Sequence, residues 1–261
     1  MKTILISTVL ILSLFSLSTL NAQNTFGEYL STGSATTRGL WHLDGNSNDV
    51  SGNGNNGTDA NVTYSLTNGR FGQGAAFNGS SSMISMADVA SLKPTGNLTV
   101  VGWALPTSTA TNKVIVSNGF RNDYDPSWCW YFISVESNGY ALFQMFDRRP
   151  SWNEYKSIVG TTVLTDGKFH CIIGTYDGNY LRLYVDGKQE AISTQWTRNL
   201  NWYGGYTSRP RIGCSSWGGG DNTQPGDWFN GKIDEVIIES RTWSDVQIAK
   251  YITYTKGRFG M

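Results

Sequence analysis

The segment Asp177–Gly187 narrows what this chain can fold into more than any other. Its ends are the dipeptides Asp177-Gly178 and Asp186-Gly187, and between them Leu181, Leu183 and Val185 alternate with Arg182 and Tyr184. A period of two puts the three aliphatic side chains on one face of a strand, whereas a helix would scatter them. Asp-Gly supplies the positive φ that tight hairpin turns demand. The segment therefore reads as an antiparallel strand between two chain reversals. The same cadence recurs in Leu98–Trp103, Val114–Val116, Trp130–Val135, Cys171–Tyr176 and Arg211–Cys214, and Asn138-Gly139 predicts a hairpin into Tyr140–Phe146.

The first 22 residues carry Lys2, an apolar run from Ile4 to Leu20 and the small residue Ala22, the pattern of a secretory signal peptide. Serines at 7, 13, 16 and 18 interrupt that run, and no later segment approaches the ~20 apolar residues of a spanning helix. The expected product is exported, to the medium or the cell surface. No linker or internal repeat divides residues 27–254, so one large all-β domain is expected over residues 39–254, with a lead-in at 23–38 and a tail at 255–261. The formal net charge is zero, and 15% of residues are charged. That balance gives no overall electrostatic footprint for nucleic acid or an anionic membrane. Three cysteines permit at most one internal disulfide. Cys171 lies in an apolar strand and reads as a buried thiol, which leaves Cys129–Cys214 as the first candidate pairing.

Near the C-terminus, Gly226–Ser244 combines a turn, a strand and a helix start. Asn230-Gly231 reads as the turn, and Ile233, Val236 and Ile238 supply apolar side chains to a sheet. Ser244 reads as the N-cap of a short helix over Asp245–Tyr251.

The stretch Gly231-Lys232-Ile233-Asp234-Glu235-Val236 resembles the closing strand of laminin G-like, pentraxin-like domains of the concanavalin A-like lectin/glucanase superfamily. The likeness extends to Gly39-Leu40-Trp41-His42-Leu43-Asp44-Gly45, the glycine-rich loop Asn48–Thr58, Arg70–Gly79, Thr165–His170 and Val185–Lys188, in the family's order. It implies a two-sheet antiparallel jelly-roll sandwich with a short C-terminal helix. It also implies a structural calcium that the acidic residue of the closing strand, here Asp234, helps to hold.

Calcium takes six to eight oxygen ligands, which loops dense in Asp, Asn and Gly can converge. Asp49, with oxygens from Asn53 or Asn55, meets Asp234 if the first and last strands lie side by side, as the resemblance implies. The competing reading is that these residues only close turns through side-chain-to-backbone bonds. Pentraxins also carry a ligand-binding calcium cluster, and no matching run is present here.

Ten tryptophans divide into two groups. Trp41, Trp103, Trp228 and Trp243 lie in or beside expected strands and read as packing residues. Trp128, Trp130, Trp152, Trp196, Trp202 and Trp217 lie in or beside loops rich in Gly, Asn, Ser and Arg, close to Tyr203, Tyr206, Asp221 and Asn222. Aromatic faces of this kind stack on sugar rings while amides and carboxylates bond the hydroxyls. The candidate ligand set is therefore Trp128, Trp130, Trp152, Trp202, Tyr203, Tyr206, Trp217, Asp221 and Asn222.

Glycosidases and lyases share this architecture, so the fold does not decide between binding and catalysis. The Glu-x-Asp-x-x-Glu strand of laminarinase-like relatives is absent, as are the Gln-x-His and Tyr-rich strands of alginate lyase-like ones. Asp234 and Glu235 point to opposite faces of a strand, and the two histidines, His42 and His170, suggest no catalytic or zinc set. A non-catalytic carbohydrate-binding module is expected. A module binding a protein partner or itself is the main alternative, and a glycan-degrading enzyme the lesser one.

Overall fold

The computed structural model describes residues 33–107, 113–121, 130–149, 152–198, 200, 209–217 and 224–257. The expected leader at 1–22 lies outside them. Among the described residues the strands are β1 (Thr37–Trp41), β2 (Thr58–Ala60), β3 (Thr63–Ser65), β4 (Gly74–Asn78), β5 (Met83–Ser85), β6 (Leu98–Pro106), β7 (Lys113–Asn118), β8 (Phe120–Arg121) and β9 (Trp130–Val135). They continue with β10 (Tyr140–Arg149), β11 (Trp152–Val163), β12 (His170–Tyr176), β13 (Leu181–Val185), β14 (Lys188–Ile192), β15 (Arg211–Ile212), β16 (Ser215–Trp217), β17 (Gln224–Gly226) and β18 (Asn230–Glu239). One helix, α1 (Asp245–Gly257), closes the chain.

Two antiparallel sheets form a sandwich. The first runs β14-β13-β12-β6-β18-β4-β3, with β1 also on β18, and the second runs β11-β10-β9-β7-β15-β5-β2. A small third sheet, β17-β16-β8, contains a parallel β8–β16 pair. Trp41, Phe77, Val100, Phe143, Ile172 and Leu183 belong to the core between the sheets. The first sheet is apolar on its other face too. There Leu40, Val101, Trp103, Ile173 and Ile237 pack against Trp243, Ile248, Tyr251 and Ile252 of the helical segment. Burying each such side chain is worth about 1.5–3 kcal/mol relative to leaving it in water, so α1 acts as the cover of that sheet.

The expected strands are present, and several local devices match their sequence signals. Asp186 and Gly187 both have positive φ, 52° and 88°, as a tight β13–β14 turn requires. Gly139 at φ 83° turns β9 into β10. Ser244 caps α1 reciprocally: its Oγ accepts from the Gln247 backbone N–H at 3.4 Å, and the Gln247 side chain accepts from the Ser244 N–H at 2.9 Å.

Four expectations need correction. The helix extends past Tyr251 to Gly257, because Ile252 continues its buried face. β1 begins at Thr37, inside the expected lead-in, because the Thr36 and Thr37 hydroxyls bond the buried carboxylate of Glu239 at 3.0 and 2.8 Å. Trp152, read as a loop residue, opens the longest strand, β11. Asn230-Gly231 lies within β18, not in a turn. Glycine is needed at 231 because φ is 144° and a Cβ would fall 2.2 Å from the Leu105 carbonyl oxygen. Gly231→Ala should therefore lower stability by at least ~2 kcal/mol in a denaturant melt; an unchanged midpoint would show that the backbone yields there.

His170 joins two of the motifs. Its Nδ1 lies 2.7 Å from Asp186 and its Nε2 3.0 Å from Asp166, so the turn before β12 and the turn after β13 share one imidazole. The bond to Asp186 is the main cause that raises its pKa above the ordinary value, against burial, which opposes the charge. A histidine raised in the folded state contributes stability that is complete below its unfolded pKa of about 6.5 and is lost as pH climbs through the folded value. The stability gap between the native chain and His170→Gln should be widest near pH 6 and shrink towards alkaline pH, as measured by thermal melts across that range.

Candidate functional site

The four residues expected to hold calcium fall into two separate cages of backbone amides. Asp49 Oδ1 accepts from the Leu40 and Ser51 N–H groups at 3.0 and 2.9 Å, and Oδ2 from the Asn55 N–H at 2.9 Å. Asp234 Oδ2 accepts from Arg70 and Phe71 at 2.7 and 2.9 Å, and Oδ1 from Glu235 at 3.0 Å. The amide nitrogens of Asn53 and Asn55 donate to the carbonyls of Thr37 and Arg38 at 2.8 and 2.6 Å. As placed, this donor set does not fit a calcium ion, since an ion at either carboxylate would face N–H hydrogens. Among the described residues no group of three or more His, Cys, Asp or Glu side chains is placed to hold a metal. Burial is the first cause that pushes the Asp234 carboxyl up to about 8, with Glu235 adding to it and the three amides pulling the other way. Both carboxylates are staples that fix loops to strands.

The cage around Asp49 carries a direct consequence. Asp49→Ala should cost about 3 kcal/mol, because three amides lose a charged acceptor. The loss should be equal in calcium and in chelator, which paired melts would measure.

Of the candidate ligand residues, Trp130, Trp152 and Trp217 have described positions. Trp130 opens β9 opposite Phe146, and Trp152 opens β11 opposite Arg149. β7 leaves the sheet at Asn118, opposite Tyr131, and continues into β8, whose Arg121 pairs with Trp217. All three tryptophans therefore stand at strand termini at one end of the second sheet. Trp128, Trp202, Tyr203, Tyr206, Asp221 and Asn222 lie outside the described residues. The segments carrying them leave and re-enter the described chain through Arg121, Trp130, Arg209, Trp217 and Gln224. Trp196, read as a loop aromatic, is buried: its ring packs against Tyr176, 5.7 Å between centroids, and its Nε1 donates to Glu154 at 3.3 Å.

The β10–β11 hairpin is clamped near its turn. Asp147 and Glu154 are cross-strand partners, and Arg198 lies 3.4 Å from Asp147 Oδ2 and ion-pairs with Glu154. The segment bearing Arg198 is itself anchored by Tyr176, whose hydroxyl lies 2.9–3.0 Å from the carbonyls of Gly178, Trp196 and Arg198. This clamp fixes the strands two register pairs before Arg149 and Trp152, where the paired part of the hairpin ends.

Sequence reasoning did not find the outer face of the second sheet. Tyr131, Ile133 and Val135 of β9, and Ala141, Phe143 and Met145 of β10, point into the core. Alternation then turns Phe132, Ser134, Leu142, Gln144 and Phe146 outwards, where Val114, Phe132, Leu142 and Phe146 form their own cluster. Register lines up Trp130, Phe146 and Tyr155 in one row across β9, β10 and β11, and Arg211, Ser117, Phe132, Gln144 and Ser157 in the next. Tyr155 is 63% exposed. The available signal was the presence of aromatics on both parities of one strand, Trp130 and Phe132 against Tyr131.

The expected Cys129–Cys214 pairing falls in part outside the described residues, which do not include Cys129. Cys171 and Cys214 are both free and buried. Cys214 is buried beside Arg211, and burial pushes its thiol up to about 11, which suits an inert thiol.

Residues 78–249 match the family described as the concanavalin A-like lectin/glucanases superfamily, and the chain belongs to it. No curated protein matches the chain. Among solved structures, domain 4 of AbnA, an extracellular arabinanase from Geobacillus stearothermophilus in complex with arabinotriose, aligns at TM-score 0.58 and 18% identity, covering 82% of this chain and 97% of that one. The binding domain of Paraclostridial Mosquitocidal Protein 1 aligns at TM-score 0.62 and 15% identity, over 83% of this chain and 52% of that one. The binding domain of Botulinum Neurotoxin DC in complex with SialylT aligns at 0.60 and 12%, over 85% and 52%. The chain thus spans about half the length of the two toxin domains. At these identities the likeness establishes the sandwich fold. No helix among the described residues is long and apolar enough to cross a membrane.

Proposed function

We propose that this chain is an exported, non-catalytic carbohydrate-binding module whose ligand lies on the outer face of the second sheet, at the end where Trp130, Trp152 and Trp217 stand. The observation that carries this reading is the cross-strand row Trp130–Phe146–Tyr155. Neighbouring strands are about 4.8 Å apart, so the row presents aromatic positions along ~10 Å of a rigid face, with Gln144 and Ser157 one row away as hydrogen-bonding groups. Flat apolar surface beside placed polar groups is what a saccharide requires. The arabinanase domain of similar fold was solved with an oligosaccharide, arabinotriose, which supports the same class of ligand. The cross-strand carboxylates Asp147 and Glu154, which resemble a hydrolytic pair in their adjacency, are held by Arg198, and this favours binding over catalysis. Asp49 and Asp234 serve in place of the structural calcium that the resemblance implies.

A second reading, contact with a protein or another copy of the chain, is favoured by the exposed Val159 and Val163 that continue the outer face of β11 from Tyr155. A glycan array followed by calorimetry separates the two. Tyr155→Ala should reduce affinity for the ligand found by about tenfold, the loss of one stacking contact of ~1.5 kcal/mol, with no change in melting temperature. A silent array together with a concentration-dependent mass would transfer the site to protein contact.

A further inference from the structure

The exposed apolar side chains are not scattered. Of the six large hydrophobic residues exposed among the described residues, Tyr155, Val159 and Val163 fall on one strand, at 63, 41 and 47% exposure, and Ser157 between them is exposed too. Their register partners on β10 run from Phe146 opposite Tyr155, through Gln144 opposite Ser157, to Tyr140 opposite Val163. The steps along β10 from Phe146 to Tyr140 span ~20 Å, and two neighbouring strands make a track ~10 Å wide. β10 has no charged residue from Tyr140 to Phe146. Those of β11, Glu154 and Lys156, have the other parity, where Glu154 ion-pairs with Arg198 and Lys156 bonds Thr194 at 2.9 Å. The polar groups that the track carries are neutral and uncommitted. The hydroxyls of Tyr140, Tyr155 and Ser157 and the side-chain amide of Gln144 make no hydrogen bond among the described residues. The hydroxyls of Tyr64, Tyr176, Tyr184 and Tyr251, elsewhere in the fold, are all bonded.

Area and chemistry together select the occupant. A track of ~20 by ~10 Å offers roughly 200 Å², whereas each partner of a stable protein interface buries about 800 Å². A second copy or a folded partner resting on this strip alone is therefore weakly held. An extended polymer chain is narrow enough to lie along it. Val159 and Val163 supply apolar contact beside the neutral hydrogen-bonding groups of Tyr155, Ser157 and Gln144, the combination that a sugar ring and its hydroxyls require. With no cation under the ligand, a carboxylate or sulfate would lose water without gaining a partner. We propose that β10 and β11 form a track for an uncharged polysaccharide, bound through several consecutive internal units from the Tyr155 row to the Val163 row. This rests on the carbohydrate reading above and names its ligand class: a neutral chain longer than a disaccharide, gripped along its length and not by its end.

The test measures binding of the native chain by calorimetry to neutral arabinan and mannan and to acidic polygalacturonate and heparin, then to oligosaccharides cut from whichever polymer binds. A neutral polymer should bind, with an affinity that salt leaves unchanged. Affinity should rise about tenfold or more from the disaccharide to the hexasaccharide as further units reach the track. In methyl NMR spectra the hexasaccharide should shift the signals of Val159 and Val163 and leave that of Val246, also exposed but on α1, in place. Val159→Lys puts an ammonium on the track and should weaken binding by about tenfold, the cost of an unpaired polar group under the ligand. Val159→Thr keeps the shape and should bind as the native chain does. Val159 is exposed, so neither variant should alter the melting temperature. Preference for an acidic polymer, affinity already complete at the disaccharide, unmoved Val159 and Val163 signals, or binding untouched by Val159→Lys overturns the track and leaves the carbohydrate reading standing. No binding to any of the four, with a silent glycan array, overturns both.

Discussion

The structure depends on a change of partner along one edge of β18. On one side this strand pairs with β6 through residues 231–234 and, after a bulge, 237–239. On the other it pairs with β4 through residues 230–233 and then with β1 through residues 236–239. Two strands cannot share an edge without a gap at the handover, and backbone amides opposite that gap need an acceptor. Asp234 provides it, capturing the amides of Arg70 and Phe71 while Glu235, at φ 48°, takes the bulge. Beyond the handover, Glu239 fixes the first strand through two threonines. The beginning and end of the domain are thus held by buried carboxylates on one strand.

That arrangement determines which surface is left for a ligand. The first sheet is spent on both faces, one against the core and the other against α1. The long edges of the sandwich are laced across the two sheets: Glu190 of β14 accepts from Thr161 and Thr162 of β11, and Tyr64 of β3 donates to Asp59 of β2 at 2.8 Å. Among the described residues, the outer face of the second sheet is exposed at Tyr155, Val159 and Val163 of β11, whereas Val114, Phe132 and Leu142 further in are buried. A rigid sheet that supports ligand residues at its periphery is how sandwiches present binding sites.

The parts of this architecture written in local chemistry could be read from the sequence. Asp-Gly and Asn-Gly turns, the alternation of Leu181–Val185 and the Ser244-x-x-Gln247 cap each depend on residues a few positions apart, and each is found where expected. What could not be read depends on distant partners. β11 escaped because both faces carry mixed residues: Tyr155, Val159 and Val163 are exposed, and Ile158 is buried. Trp196 sits in a polar stretch, yet Tyr176 and Arg198 bury it. Asp49 and Asp234 could be singled out as acidic residues on which groups converge, but the amides that surround them belong partly to distant segments, Leu40 for the one and Arg70 and Phe71 for the other, which spacing does not show. The outer-face row was invisible because register, not spacing, assembles it.

The edge of β11 has one further meaning. A twelve-residue strand with exposed Tyr155, Val159 and Val163 is the kind of element that recruits strands from other molecules. Glu190 occupies the amides of Thr161 and Thr162, the Thr162 hydroxyl also bonds the carboxylate, and these bonds hold its pKa down against burial, so the acceptor stays charged in mild acid. Lys156 adds a bond to Thr194 at 2.9 Å further along the same strand. The edge strand is therefore closed to strands of other molecules along that stretch, and its exposed Tyr155, Val159 and Val163 side chains stand outwards on a domain that remains a discrete particle.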